Sequence, residues 1–127
     1  MKSLLLSVSI FACLGSQAQD SVKSIHVDFG VIEFEKNSAE LTEKAKENLD
    51  SVAVNFNAPE PCRLLISSIS PTNCKKCVAL SVDRYRAVAN YLKQRGIAAN
   101  RLDFSPNVTD KSDGNFDFLS LTINCRN

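Results

Sequence analysis

The chain has 127 residues, which is enough for one domain and hardly two. Fifteen basic and fourteen acidic side chains leave a formal net charge of +1 at pH 7, which argues against a generic nucleic-acid binder. A single histidine limits acid–base chemistry, and no paired carboxylates or Ser/His/Asp arrangement stands out, so the sequence predicts a non-enzymatic protein without a cofactor.

The first eighteen residues have the pattern of a secretory signal peptide. Lys2 supplies the basic start, an apolar run follows, and Ser16-Gln17-Ala18 puts small residues at the expected cleavage positions. The run of about eleven residues is too short to span a bilayer, and no later stretch is apolar enough to span one. We therefore expect residues 1–18 to be removed and residues 19–127 to form one exported domain.

The cysteines indicate the cellular compartment in which the protein works. A lipoprotein signal ending at Cys13 is the alternative to cleavage after Ala18, and it would anchor the chain to a membrane, although Phe11 fits that signal poorly. Four cysteines follow, and an even count in a small exported domain is typical of disulfides. We expect an oxidising location, the periplasm or the extracellular space.

Charge is distributed unevenly along the chain. Without Lys2, the remaining fourteen basic and fourteen acidic residues give a net charge of zero. Residues 28–60 carry a net charge of −5, whereas residues 75–101 carry +6. The basic block is either an ordinary solvated helix face or a field that attracts small anionic ligands.

The first half of the domain predicts a strand and then a helix. Apolar residues alternate from Ile25 to Phe34, and the alternation slips by one residue at Gly30, which indicates a bulge. Asn37 or Ser38 is the expected helix cap, and residues 57–61 end the helix. One helix face collects its apolar residues at spacings of three and four, namely Leu41, Ala45, Leu49, Val52 and Ala53.

The second half predicts a strand, a helix and two more strands. Residues 62–70 form the next strand, and Thr72 or Asn73 caps the following helix, which ends at a left-handed Gly96. A short strand at 102–105, a polar loop through Gly114 and a strand at 116–125 complete the chain. This order predicts an α+β fold, a two-layer βαβαββ sandwich with a mixed sheet packed against two helices.

Two segments resemble the OmpA-like domains, the peptidoglycan-binding modules of outer-membrane protein A and of peptidoglycan-associated lipoproteins. "FEKNSAELTEKAKENLDSVA" is similar to the start of those domains, and "LSVDRYRAVANYLKQRGIAANRL" is similar to their second helix, L-S-x-x-R-A-x-x-V-x-x-Y-L followed by G-[IV] and R-[LIV]. The resemblance covers roughly residues 25–125. It implies an envelope protein of a Gram-negative bacterium that lies in the periplasm, associated with the outer membrane.

The resemblance also implies a ligand site. In the family an Asp and an Arg hold the charged end of diaminopimelate, a side chain of the cell-wall stem peptide, and Arg84 in Leu80-Ser81-Val82-Asp83-Arg84 matches that Arg. A guanidinium grips a carboxylate through two parallel hydrogen bonds. However, Ile69 occupies the position of the family Asp and Cys77 that of a family Asn, and Asn115-Phe116-Asp117 stands for N-R-R. We therefore expect weak or altered binding of peptidoglycan or a related anionic ligand, with neutral hydrogen bonds from Ser67, Ser68, Ser70 and Asn73.

The four later cysteines are expected to form two bridges. Cys74 and Cys77 lie in the turn before the second helix, where a structural disulfide is favoured over a redox-active pair. A zinc site is disfavoured because the one histidine, His26, is far away in sequence, so no metal is expected. Cys62 and Cys125 would meet if their strands are antiparallel neighbours.

Three functions follow from these observations. The first is an exported cell-wall binding module with a degenerate pocket. The second is a structural or interaction module that binds an envelope protein and no peptidoglycan. The third is a thiol–disulfide protein that uses Cys74 and Cys77.

Overall fold

A computed structural model describes residues 26–59, 61–111 and 113–125. The expected signal segment, its cleavage site and Cys13 lie outside these residues. Six main elements are present: β1 (His26–Glu33), α1 (Glu43–Asn55), β2 (Arg63–Pro71), α2 (Lys75–Gln94), β3 (Leu102–Thr109) and β4 (Phe118–Asn124). A short 3-10 turn at Ala99–Arg101 leads into β3. The α+β fold class predicted from the sequence is confirmed.

The four strands form one mixed sheet in the order β1-β4-β2-β3. Strand β4 is antiparallel to both β1 and β2, whereas β3 runs parallel to β2 over its whole length. The register between β1 and β4 shifts between Asp28 and Gly30, which confirms the expected bulge. Gly30 has φ +90°, and its N–H donates to Asp28 Oδ1 at 2.8 Å, so a residue without a Cβ suits this kink.

The core lies between the sheet and the two helices. Alternate residues of β2 and β4 point towards the helices, so each strand shows a period of two in its burial. On α1 the buried positions are Ala45, Leu49 and Val52, which recur at helical spacing as predicted. The largest apolar side chains with almost no exposed surface are Leu49, Leu64, Ile66, Leu92, Leu119, Leu121 and Val88.

The predicted start of α1 is wrong. Its N-cap is Thr42, whose Oγ1 accepts the N–H of Ala45 at 3.0 Å. Asn37 instead has a left-handed φ of +58° in a turn that follows β1, and the Ser38 hydroxyl accepts the N–H of Glu40. The residue types that favour caps also favour tight turns, and here they make the turn.

The predicted cap of α2 is also wrong, because Cys74 holds that position. Thr72 donates its hydroxyl to the carbonyl of Thr109 at 3.0 Å, and Asn73 turns the chain with φ +69°. The predicted end is confirmed: Gly96 has φ +102°, its N–H donates to the carbonyl of Lys93, and the N–H of Ile97 donates to that of Leu92. Strand β3 is longer than expected and β4 begins at Phe118.

A polar cluster joins the two helices on their outer side. Asp50 Oδ1 accepts from Tyr91 Oη and from Arg95 Nε, each at 2.8 Å. The hydrogen bond from Arg95, followed by that from Tyr91, lowers the pKa of the Asp50 carboxyl. The cluster is solvent-exposed, so we expect it to orient the helices more than to stabilise them.

Candidate functional site

Arg84 lies on the inner face of α2 and has only 3% of its surface exposed. Its Nε donates to the carbonyl of Ser38 at 2.8 Å, and its Nη2 donates to the carbonyl of Glu35 at 3.0 Å. Nη2 also donates to Asp117 Oδ1 at 3.1 Å, and Nη1 lies 3.5 Å from the carbonyl of Phe116. The guanidinium therefore joins the turn after β1 and the segment before β4 to the helix.

The ring of Phe34 supports the other side of this guanidinium, with Arg84 Cζ 4.9 Å from the ring centroid. A buried cation needs acceptors on every side, since an unpaired one is strongly disfavoured. Four oxygen acceptors and one aromatic face meet that need. A ligand carboxylate would have to compete with contacts that already exist.

A small cavity of about 170 Å³ lies beside Arg84. Its walls come from the turn after β1, the end of β2, the start of α2 and the loop before β4. The lining residues are Lys36, Asn37, Ile69, Ser70, Cys77, Leu80, Ser81, Arg84, Gly114, Phe116 and Asp117. Drug-sized ligands occupy pockets of roughly 300 Å³ or more. This cavity therefore has room for the charged end of a ligand and not for a whole peptide.

Both charge signs border the cavity. Lys36 and Arg84 are cationic, and Asp117 is the one acid among the lining residues. The Asp117 side chain is 34% exposed, so its carboxylate is paired with Arg84 and still reached by solvent. Such a site can take an ammonium near Asp117 and a carboxylate near Lys36.

Of the predicted ligand residues, the structure brings only Arg84 and Ser70 to the same cavity. The Ser70 hydroxyl is buried and lies 3.0 Å from the Ser81 hydroxyl, so the two share a hydrogen bond. Ser68 is 2% exposed in the core, and its hydroxyl has no hydrogen-bond partner among the described residues. Asn73 is exposed and borders a different hollow, beside Val108.

This geometry invites comparison with known structures. The OmpA-like domain of FopA1 from Francisella tularensis superposes with a TM-score of 0.60 at 16% identity, over 81% of this chain and 73% of that one. The peptidoglycan-associated lipoprotein of Burkholderia pseudomallei gives 0.62 at 14% identity, over 74% and 89%. The C-terminal domain of Helicobacter pylori MotB gives 0.59 at 16% identity, over 76% and 84%.

The chain has the fold of the OmpA-like domains. No profile of a known protein family matches the sequence, and no curated protein matches it. The resemblance seen in the sequence is thus supported in three dimensions at the level of the fold.

Two positions at which the sequence departs from the OmpA-like pattern border the cavity. Ile69, at the position of the family Asp, is 38% exposed, and Cys77, at the position of the family Asn, is half-buried. Neither carries a charge or a strong hydrogen-bonding group. These two positions therefore add no charge to the cavity, and the acid among its lining residues is Asp117.

Both bridges are present in the structure. Cys62 is bonded to Cys125, and Cys74 is bonded to Cys77. The first joins the residues that flank Arg63 and Asn124, which are paired between the antiparallel strands β2 and β4. The second closes the first turn of α2, one side of which borders the Arg84 cavity.

Sequence reasoning missed the partners of Arg84. Asp117 was visible as an acid in place of a basic residue, and that change of sign was the one available signal. The carbonyls of Glu35 and Ser38 could not be singled out from the sequence, because every residue has a backbone carbonyl. Phe34 was expected only as a strand residue.

The remaining neighbours act as packing and surface groups. Tyr85 stacks on Phe104 with ring centroids 4.4 Å apart, and Arg86 is exposed near Asp83. Across residues 26–59, 61–111 and 113–125, no group of three or more His, Cys, Asp or Glu side chains could hold a metal ion. No helix within the same ranges is long and apolar enough to cross a membrane.

Proposed function

We propose that this chain is an exported, non-catalytic binding module of the cell envelope that holds the charged end of a cell-wall stem peptide, or of a related ligand, in the cavity beside Arg84. The observation that carries the proposal is a buried arginine beside a small cavity in an OmpA-like fold. One of the proteins that share the fold is a peptidoglycan-associated lipoprotein, and this association supports a cell-wall ligand. Cleavage after residue 18 would release the module into the periplasm, near the outer membrane.

The charges around the cavity suit a zwitterionic group. The end of diaminopimelate carries an ammonium and a carboxylate, and the cavity offers one acid, Asp117, and two cations, Lys36 and Arg84. Binding would be weak, because Arg84 keeps its internal acceptors and Ile69 offers no charge. Losing one charged contact removes about 1.5–3 kcal/mol, which is one to two decades of affinity.

Co-sedimentation with purified cell-wall sacculi tests the proposal. We expect the protein to pellet with sacculi, free diaminopimelate to release it, and Asp117→Asn to weaken the binding by about tenfold. Ile69→Asp puts a carboxylate on the neutral wall, so it should strengthen binding by a similar factor. Arg86→Ala is the matched control, since it removes an exposed arginine from the same helix.

Three outcomes would count against a stem-peptide ligand. They are a protein that stays in the supernatant, binding that free diaminopimelate leaves unchanged, and an Arg84→Ala variant that is folded and pellets as well as the wild type. The Arg84→Ala result is read only beside a circular dichroism spectrum, because this residue also supports the fold.

An interaction module without peptidoglycan binding is the second candidate. The observation that favours it is the set of four internal acceptors around Arg84, which gives this residue a structural role without any ligand. If this candidate is correct, the Ile69→Asp variant and the wild type both stay in the supernatant when sacculi are pelleted. A diaminopimelate-sensitive pellet would exclude it.

A further inference from the structure

The two disulfides have different surroundings. Cys62 and Cys125 are buried in the core, at 4% and 7% exposure. Cys74 and Cys77 are only half-buried, and their bridge spans three residues across the first turn of α2. A bridge in the core is protected from thiols by its burial, whereas the bridge on α2 is not.

The helix start would stabilise a thiolate at Cys74. Cys74 is the N-cap of the 20-residue helix α2, and its Sγ accepts the N–H of Cys77 at 3.1 Å. Lys75 and Lys76 follow it, both are exposed, and the first turn of α2 contains no acid. Helix N-termini and neighbouring cations favour the ionised thiol, which is the reactive form.

Other charged groups near the pair partly offset one another. Asp110, in the loop after β3, accepts from the hydroxyl of Thr72, one residue before Asn73. On the Cys77 side, the cavity contributes Lys36, Arg84 and Asp117, of which the last two are paired. Arg84 and Asp117 offset one another, and Lys36, Lys75 and Lys76 outnumber Asp110, so the environment of the pair is net positive.

The two cysteines border different spaces. Cys74 borders an open hollow of about 490 Å³ at the ends of β2 and β3, with Pro71, Val78 and Val108 among its largely apolar walls. Cys77 borders the smaller Arg84 cavity. Because the space beside Cys74 is the larger one, Cys74 is the sulfur that a thiol from solvent would attack, and Cys77 would be the sulfur that leaves.

We propose that, in addition to the binding role proposed above, the Cys74–Cys77 bridge is a redox-active disulfide that oxidises one dithiol for each bridge reduced. A substrate thiolate attacks Cys74 Sγ, a substrate–Cys74 bond forms, the Cys74–Cys77 bond breaks, and Cys77 leaves as a thiolate and takes up a proton. The second substrate thiolate then attacks the substrate sulfur of the mixed disulfide and releases Cys74 as a thiolate. The substrate is oxidised to its disulfide and the bridge is reduced to two thiols, so electrons and atoms balance.

The buried bridge serves as an internal control for the test. The full chain is equilibrated with mixtures of reduced and oxidised glutathione, quenched with acid, alkylated, and mapped by peptide mass. We expect Cys74 and Cys77 to be alkylated in mixtures that leave Cys62 and Cys125 bonded. The proposal is overturned if the Cys74–Cys77 bridge stays closed across the glutathione range, or if both bridges open together.

A charge variant separates a reactive pair from a merely exposed one. Lys75→Glu with Lys76→Glu should slow reduction by dithiothreitol about three- to tenfold at low salt, and less at high salt. The control is Lys44→Glu with Lys93→Glu. It changes the net charge by the same amount in the first turn of α1 and the last turn of α2, and it should leave the rate of reduction unchanged. Equal rates for both double variants would contradict the assignment of Cys74 as the attacked sulfur.

The single-thiol variant Cys77→Ser gives an independent readout. Its Cys74 should react with iodoacetamide with a pH midpoint below about 8.5, the value of an ordinary cysteine. A midpoint at or above that value would remove the role given to the helix start. Sacculus binding is scored separately, so a redox-inert bridge would leave the cell-wall proposal standing.

Discussion

Arg84 is the residue at which the proposed binding role and a structural role coincide. Its guanidinium collects carbonyls from Glu35, Ser38 and Phe116 and a carboxylate from Asp117, which lie 32 to 49 residues away in sequence. These acceptors belong to the turn after β1 and the segment before β4, which the N–H of Phe34 also joins by donating to the carbonyl of Asp117 at 2.9 Å. The side chain therefore stabilises the same walls that would hold a ligand.

Arg84→Ala should lower the free energy of unfolding by about 2–4 kcal/mol. The substitution removes the guanidinium that donates to the carbonyls of Ser38 and Glu35, and it removes the partner of Asp117. Urea unfolding followed by circular dichroism measures the change.

Arg86→Ala is the control for that measurement, because Arg86 is 71% exposed and lies 3.8 Å from Asp83. It should change the free energy of unfolding by less than about 0.5 kcal/mol. If the two alanine variants unfold at the same urea concentration, Arg84 has no structural role.

Helix starts are the elements that sequence reasoning placed least well. Asn37, Ser38, Thr72 and Asn73 are all residue types that cap helices, and all four serve turns or strand ends instead. The true caps, Thr42 and Cys74, each lie a few residues further along and each accept an N–H from the third residue on. A single sequence cannot rank several such candidates. Which residue caps the helix depends on where the preceding strand ends in the folded sheet.

Thr42→Ala should lower the free energy of unfolding by about 1 kcal/mol, because the N–H of Ala45 loses its side-chain acceptor. Ser38→Ala removes one of the two residues, Asn37 and Ser38, that the sequence predicted as the cap. It should change stability by less than about 0.5 kcal/mol. Thermal unfolding of the two variants side by side decides between the caps, and a larger loss for Ser38→Ala would contradict the structure.

The periodicity of apolar residues was sufficient to predict the element order and the inner faces. Leu49 and Val52 on α1 are buried as their spacing indicated, and Leu64 and Ile66 are buried on the inner face of the predicted strand β2. The site was less accessible to such reasoning. Arg84 could be selected by its pattern, but its acceptors are backbone atoms from distant segments, and Asp117 becomes part of the site only through the fold.

At the scale of the whole molecule, the two bridges should differ greatly in their contribution to stability. Cys62 and Cys125 are 63 residues apart, whereas Cys74 and Cys77 are three apart. A cross-link stabilises by restricting the unfolded chain, and the restriction grows with the enclosed loop.

Replacing Cys62 and Cys125 with alanine should lower the free energy of unfolding by about 4 kcal/mol, against about 1.5 kcal/mol for the same change at Cys74 and Cys77. Urea titrations of the two double variants give both numbers. A larger loss from the short bridge would show that strain or local packing, and not loop closure, governs these disulfides.

The sheet order has a consequence for how the chain acquires its fold. Strand β4 is the last of the four to leave the ribosome, yet it lies between β1 and β2 and is the neighbour that both of them share. Until residues 118–124 are available, β1 has no partner and the apolar faces of both strands lack their central neighbour. Pairings this distant in sequence form slowly. We therefore expect the chain to stay unfolded until β4 has been synthesised, which is the state that the proposed export through a translocation channel would require.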